Sequence, residues 1–201
     1  MTTDLIDPTL DQAIAYLTTP SAQPPAPEAV VEALLTAEKT AKQTKVRHSY
    51  SQLLGTWRLG FITGTKRSRQ RAGVVLGAGR FLPKWVKIQL SYSPSEASQA
   101  QGTVVNSVQL GSLQLVVTGP VQFFAKTNIL AFDFTRMNVS LFGLNLYNGY
   151  IRGGQEREAS FYDKPLKDKA FFTYFLVENR AIAARGRGGG LALWTALSGR
   201  V

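Results

Sequence analysis

The 201 residues contain no cysteine and a single histidine, His48. A disulfide framework, a thiolate zinc site and a thiol nucleophile are thereby excluded, and a lone imidazole cannot build a histidine-rich metal centre. Long apolar runs are missing as well. None reaches the roughly 18 residues that a membrane-crossing helix requires, because Gly, Asn or Lys interrupts the longest of them. Positive charge is absent from Met1 to Glu38, a stretch with six acids and no Lys or Arg. That is the reverse of a secretory n-region or an Arg-rich transit peptide, so no targeting segment is expected.

What is present begins with charge. Lys39 to Val201 carries all 23 basic residues against seven acidic ones. A surface of that sign attracts anionic lipid headgroups, nucleic acid or an acidic protein face, and charge alone does not choose among them. An apolar content of 44% over this length fits one main globular domain with a sizeable core.

Asp7-Pro8 reads as an N-cap followed by proline at the first helical position, and Leu10, Ile14 and Leu17 recur at helical spacing. Residues 18–27, with four prolines, read as a linker. A second helix follows, with Val30, Val31, Leu34 and Leu35 as its apolar stripe over Glu28, Glu32 and Glu38. From Leu54 the hydrophobic period falls to 2. In Lys84 to Tyr92, for example, Val86, Ile88, Leu90 and Tyr92 share one face while Lys87, Gln89 and Ser91 take the other. Strands are also expected over Leu54–Thr63, Thr103–Leu110, Leu113–Thr118, Ile129–Arg136, Met137–Phe142, Phe171–Val177 and Leu191–Leu197, with short pieces near Val74 and Tyr147. Gly111-Ser112 reads as a tight hairpin turn. Residues 151–169 read as a long loop or a turn of helix. The expectation is a mainly β chain: an N-terminal helical segment over residues 1–50, then an antiparallel up-and-down β-barrel of about eight to ten strands over 51–201.

Leu53-Leu54-Gly55-Thr56-Trp57-Arg58-Leu59 resembles the opening strand of lipocalin-like barrels and of the plastid lipid-associated proteins, or fibrillins. The segment from Glu178 to Leu193, an acidic stretch, a short apolar run, then Arg185-Gly186-Arg187-Gly188-Gly189, resembles the fibrillin closing pattern. Arg185, Gly186, Gly188 and Gly189 match it directly, and Leu34-Leu35-x-x-Glu38 is similar to the helix that precedes the barrel in that family. Arg187 stands where the family usually has Asp, and Ile182 where it often has Arg. The resemblance spans roughly residues 27–197. It implies a lipocalin-like barrel without catalytic activity, associated with photosynthetic membranes or lipid droplets through lipids or isoprenoids. In a cyanobacterial member the place would be the cytoplasmic side of the thylakoid, and in a mature plant form the plastid.

Candidate residues fall into three groups. Gly55 and Trp57, with Arg185, Gly186, Gly188 and Gly189, read as the structural barrel motif; Trp57 is expected to close the base, with Arg200 placed to stack on the indole. The glycines of 186–190 are expected to turn the strand through positive φ while Arg185 and Arg187 reach outward. Lys66, Arg67, Arg69 and Arg71, extended by Arg80, Lys84 and Trp85, read as an exposed basic and aromatic surface for an anionic thylakoid leaflet or a photosynthetic protein complex. Val104, Val108, Leu110, Leu115, Phe132, Phe134 and Tyr174 are the lumen candidates, suited to a carotenoid, quinone or other isoprenoid lipid, though most such residues in small barrels are simply core.

Three further readings carry less. An Arg-Gly nucleic-acid segment has the basic patch but no recognised motif. Gly77-Ala78-Gly79 lacks the third glycine and the helix of a dinucleotide loop. Glu156, Glu158, Asp163 and Asp168 belong to a polar loop and give no acid/base geometry, which also weakens a bilin-handling barrel. No catalytic residue and no metal site is assigned. The expected function is a non-enzymatic lipid-binding or membrane-associated protein, with a subunit or assembly factor of a photosynthetic complex as the alternative.

Overall fold

The computed structural model of the protein describes residues 6–19, 21–64, 79–96 and 98–197. Helices α1 (Pro8–Thr18) and α2 (Pro27–Thr44) lead into a 3-10 turn, Tyr50–Leu53. Then follow β1 (Gly55–Ile62), β2 (Arg80–Phe81), β3 (Val86–Pro94), β4 (Gln101–Leu110), β5 (Leu113–Phe124), β6 (Ile129–Phe132), β7 (Arg136–Leu141) and β8 (Leu144–Tyr150). A short helix α3 (Gly154–Ala159) and a 3-10 turn (Leu166–Asp168) precede β9 (Ala170–Val177), β10 (Ala181–Gly186) and β11 (Leu191–Ala196). Among the described residues no helix is long and apolar enough to cross a membrane.

All pairings are antiparallel, and eight strands close a ring in the order β1, β3, β4, β5, β6, β9, β10, β11 and back to β1. Closure removes the unpaired edges that an open sheet of this size would expose. The ring has one asymmetry. β5 is long enough to pair with β6 through its second half and with β7 through its first, so the β7–β8 hairpin extends the wall beyond the closed part. At that end, the mouth, β3, β4, β5, β7 and β8 form an apron whose last strand, β8, pairs among the described residues only with β7.

Alternation sorts the side chains. Trp57, Leu90, Tyr92, Val104, Val121, Phe123, Leu130, Phe132, Tyr174, Ile182 and Trp194 point inward and form one buried cluster. The opposite face of β9, β10 and β11 buries Phe175, Ala181, Ala183, Leu191 and Leu193 against Leu10, Ile14, Val30 and Leu34 of the two helices. Asp7 caps α1, its carboxylate accepting the Thr9 N–H at 2.8 Å. α1 approaches the wall at Gly60, where a Cβ would overlap the Leu17 side chain.

The expected strand over Lys84–Tyr92 begins at Val86, leaving Lys84 and Trp85 in the preceding turn. The strand expected over Ile129–Arg136 stops at Phe132, since Asp133 to Thr135 turn away to meet α3: Arg157 donates to the Phe134 carbonyl at 2.9 Å and lies 3.4 Å from the Asp133 carboxylate. Arg185 does not reach outward. It lies over α2, its guanidinium donating to both Glu38 oxygens at 2.8 and 2.5 Å and to the Gly189 carbonyl at 2.6 Å. Arg187 folds back to the Lys169 carbonyl at 2.9 Å. Within residues 186–190 only Gly189 takes a positive φ, +85°, so one glycine rather than the whole run makes the turn.

Candidate functional site

The base of the barrel is filled. Trp57 is buried and its indole N–H donates to the Leu53 carbonyl at 2.8 Å, tying β1 to the 3-10 turn that floors the barrel. Gly55, at φ +114°, makes the entry into β1. Above the floor, Phe132 meets Phe172 at 4.9 Å between centroids, and Phe172 meets Trp194 at 5.4 Å. The Tyr92 and Tyr174 hydroxyls bind one another at 2.8 Å, and the Tyr50 hydroxyl donates to the Ser93 carbonyl at 2.9 Å. Burial pushes the phenols of Tyr92 and Tyr174 well above the usual tyrosine range. Arg200, the expected partner of Trp57, lies outside the described residues.

The inner face does not end with the filled base. Val104, Val108, Leu110, Leu115, Phe132 and Tyr174 belong to it by register, and Phe134 packs against the same cluster. They divide by height. Val104, Phe132 and Tyr174 are buried in the base, Val108, Leu115 and Phe134 are half-buried, and Leu110 is exposed. Among the described residues the upper inner wall is a trough rather than a closed calyx. In its outermost row Val86, Leu110, Leu113, Leu141 and Leu144 stand opposite one another across five strands. The next row is Ile88, Val108, Leu115, Val139 and Tyr147. At about 4.8 Å per strand, each row is ~19 Å wide.

The tips of the apron carry aromatic rings. Trp85, in the turn before β3, is 70% exposed, and Phe142, in the β7–β8 turn, is 79% exposed. Phe142 holds φ +50°, beside Gly143 at +79°. A left-handed backbone costs a β-carbon residue about 1–2 kcal/mol, and turns of this kind normally use Asn, Asp or Gly. Neither burial nor turn chemistry explains a phenylalanine there. β3, β4, β5, β7 and β8 contain Lys87 and Arg136 but no Asp or Glu.

Of the residues expected to meet a membrane or partner, Arg80, Lys84 and Trp85 are exposed. The Lys84 ammonium lies 5.1 Å from the Tyr16 ring centroid, and its carbonyl accepts from Arg58 at 2.8 Å. Lys66, Arg67, Arg69 and Arg71 lie outside the described residues. Gly186 donates its N–H to Gly190 at 2.9 Å, and Gly188 is exposed at the tip of that turn. The exposed Phe142, Leu144 and Leu146 were not singled out as a surface in the sequence, where Phe142 reads as the end of the strand over Met137–Phe142 and the other two fall by the short piece near Tyr147.

Glu158, Asp11 and Glu38 are held as ion-pair partners. Glu158 accepts from Thr135 at 2.5 Å and from Arg136 at 3.0 Å, Asp11 pairs with Arg180, and the Arg185 guanidinium holds the Glu38 carboxyl below the usual carboxylate range. Among the described residues no three His, Asp or Glu come together in a metal-binding group. Two clefts open on the surface. One of about 500 Å³ runs between α2 and β9 past His48 and Phe175, and one of about 540 Å³ lies beside Arg136, Glu158 and Tyr162.

No family model matches the chain, and no curated protein matches it. Among solved structures, a redesigned β-barrel is similar over 76% of this chain and 98% of its own, at 11% identity and a TM-score of 0.37. EF1p2_mFAP2b bound to DFHBI is similar over 74% of this chain and 96% of its own, at 12% identity and a TM-score of 0.34. At those scores neither carries an argument about this chain, whose closed sheet is established by its own strand pairings.

Proposed function

We propose that the protein is a non-enzymatic lipid-contacting barrel that rests mouth-first on an anionic membrane surface and takes an apolar molecule onto its open inner wall. The observation that carries this reading is the succession of apolar rows on the inner face, Val86, Leu110, Leu113, Leu141 and Leu144 at the mouth and Ile88, Val108, Leu115, Val139 and Tyr147 next toward the base. Trp85 and Phe142 flank it as interfacial rings, and Lys84 and Lys87 stand beside it, each contributing about 1 kcal/mol near an anionic leaflet. Strands free of carboxylates spare this end the repulsion that an acidic rim would meet. The fibrillin resemblance supplies the finer part of the proposal: a thylakoid surface, and a carotenoid, quinone or other isoprenoid as the molecule held.

Flotation with vesicles of phosphatidylglycerol and phosphatidylcholine tests the reading. Wild-type protein should float with the anionic vesicles, and Trp85→Ser with Phe142→Ser should weaken binding at least about tenfold, since each ring buries an apolar surface of Val or Leu size or larger. Unchanged flotation of the double variant would refute it. A second reading rests on β8, an uncharged strand that pairs along one side alone among the described residues, which offers a protein partner a place to add a strand. Under that reading the protein ignores vesicles and copurifies with a protein complex.

A further inference from the structure

Among the described residues one polar side chain without a partner interrupts the apolar inner wall. Asn106 stands in the row Leu90, Asn106, Val117 and Met137, with Val104 and Val108 as its neighbours on the same face of β4. Its amide oxygen is buried and has no hydrogen-bond partner. The other polar groups of the interior are satisfied: the Tyr92 and Tyr174 hydroxyls by each other, the Tyr50 hydroxyl by Ser93, the Trp57 indole by Leu53. Of the two further buried atoms without a partner, His48 Nε2 lies beside α2 and Arg157 Nε on α3, both away from this wall. A buried acceptor left alone in an apolar surface is costly, and its persistence calls for a donor that the described residues do not supply.

The position of Asn106 says what the donor belongs to. It lies where the filled base gives way to the open trough, with the paired tyrosines below and Val108, Leu115 and Val139 above. We infer that Asn106 is the anchor of a ligand site, taking an apolar molecule that carries one hydroxyl or N–H at the end it buries. The head donates to the Asn106 oxygen, and the tail runs along the trough to the mouth. From Asn106 to Leu110 the wall rises by about 14 Å, so a longer tail projects beyond the apron. This assignment rests on the lipid reading above and narrows it: a bare hydrocarbon leaves the amide unpaired, an ionised carboxylate presents oxygen to oxygen, and an alcohol or secondary amine satisfies it. Small-molecule sites of this kind are apolar surfaces oriented by a few polar groups.

Two probes that differ only in the donor decide the matter: retinol and its methyl ether, titrated by fluorescence against the intact protein. Retinol should bind about tenfold more tightly than the ether, the value of one buried hydrogen bond. In Asn106→Leu, and in Asn106→Ala as a smaller control, the ether should bind as before and the preference should vanish. Equal binding of both probes to the wild type, or a preference that survives in both variants, overturns the anchor and leaves the apolar trough intact. Failure of both probes to bind overturns the trough and the anchor together. Near-ultraviolet circular dichroism checks the variants' packing, and Asn106→Leu should melt no lower than wild type because it removes an unpaired buried acceptor.

Discussion

The contact between α2 and the barrel offers a prediction with a magnitude attached. Glu38 is 6% exposed and takes two bonds from the Arg185 guanidinium, while Lys42 reaches the same carboxylate at 2.9 Å from a solvated position. Replacing Glu38 by Gln leaves Arg185 with a weaker acceptor but also with access to water. The cost should be about 2 kcal/mol, the range of a hydrogen bond to a charged group. Arg185→Ala is harsher. It strips a buried carboxylate of its main partner and frees the Gly189 carbonyl that the third guanidinium nitrogen holds, so about 3–5 kcal/mol should be lost. In the double variant the two losses should fall short of their sum by about 1.5–3 kcal/mol. Urea denaturation reads this directly, since ~2 kcal/mol shifts the midpoint by about 1 M at ordinary slopes. The pair also sets an acid limit. Because the folded-state pKa of Glu38 lies below its ordinary 4.5, its contribution is complete above pH 4.5 and is lost as the pH falls through the depressed value. Strictly additive single losses, or an acid transition unchanged in Glu38→Gln, would refute this account of how the helix is held.

Three further outcomes follow from the packing. Gly119→Ala should cost at least about 3 kcal/mol and reduce soluble expression, because its Cβ would overlap the backbone carbonyl of Asp133, which cannot swing aside as a side chain can. His48 is depressed below 6.5 by burial, so it favours the fold above that pH and opposes it as acid charges the ring; His48→Gln should remove the part of the Tm loss seen on descending from pH 7 to 5. Tyr92→Phe should cost about 1–3 kcal/mol in a thermal or urea melt, since it leaves the buried Tyr174 hydroxyl without its partner, and a double change to Phe should recover part of that loss.

The strands whose alternation separates an inner from an outer set were legible in the sequence. β3 shows it plainly, with Leu90 and Tyr92 inside and Lys87 exposed. β10 was not legible. Its run Ala181-Ile182-Ala183-Ala184 is buried on both faces, Ile182 and Ala184 in the barrel and Ala181 and Ala183 under the helices, so no period of 2 remains to be read. β8 was legible only as a short piece near Tyr147, because Leu144, Leu146 and Tyr147 are exposed and the Asn and Gly between them weaken the strand pattern. The lumen candidates were recognisable as a residue type, but their division into a filled base and an open trough depends on β5 pairing with both β6 and β7. That is a matter of register across distant segments. Asn106 falls in the same alternating set as Val104, Val108 and Leu110, but a polar residue within a strand normally faces water, and the burial of its amide oxygen opposite Leu90 shows that it does not.

The central claim is that the open inner wall of this barrel belongs to an apolar molecule. Native mass spectrometry of the protein purified without detergent from its own host tests it most directly. The account predicts an added mass that organic solvent releases and that proves to be an apolar compound bearing a hydroxyl or N–H. A protein that emerges bare, or bound only to another polypeptide, would contradict it.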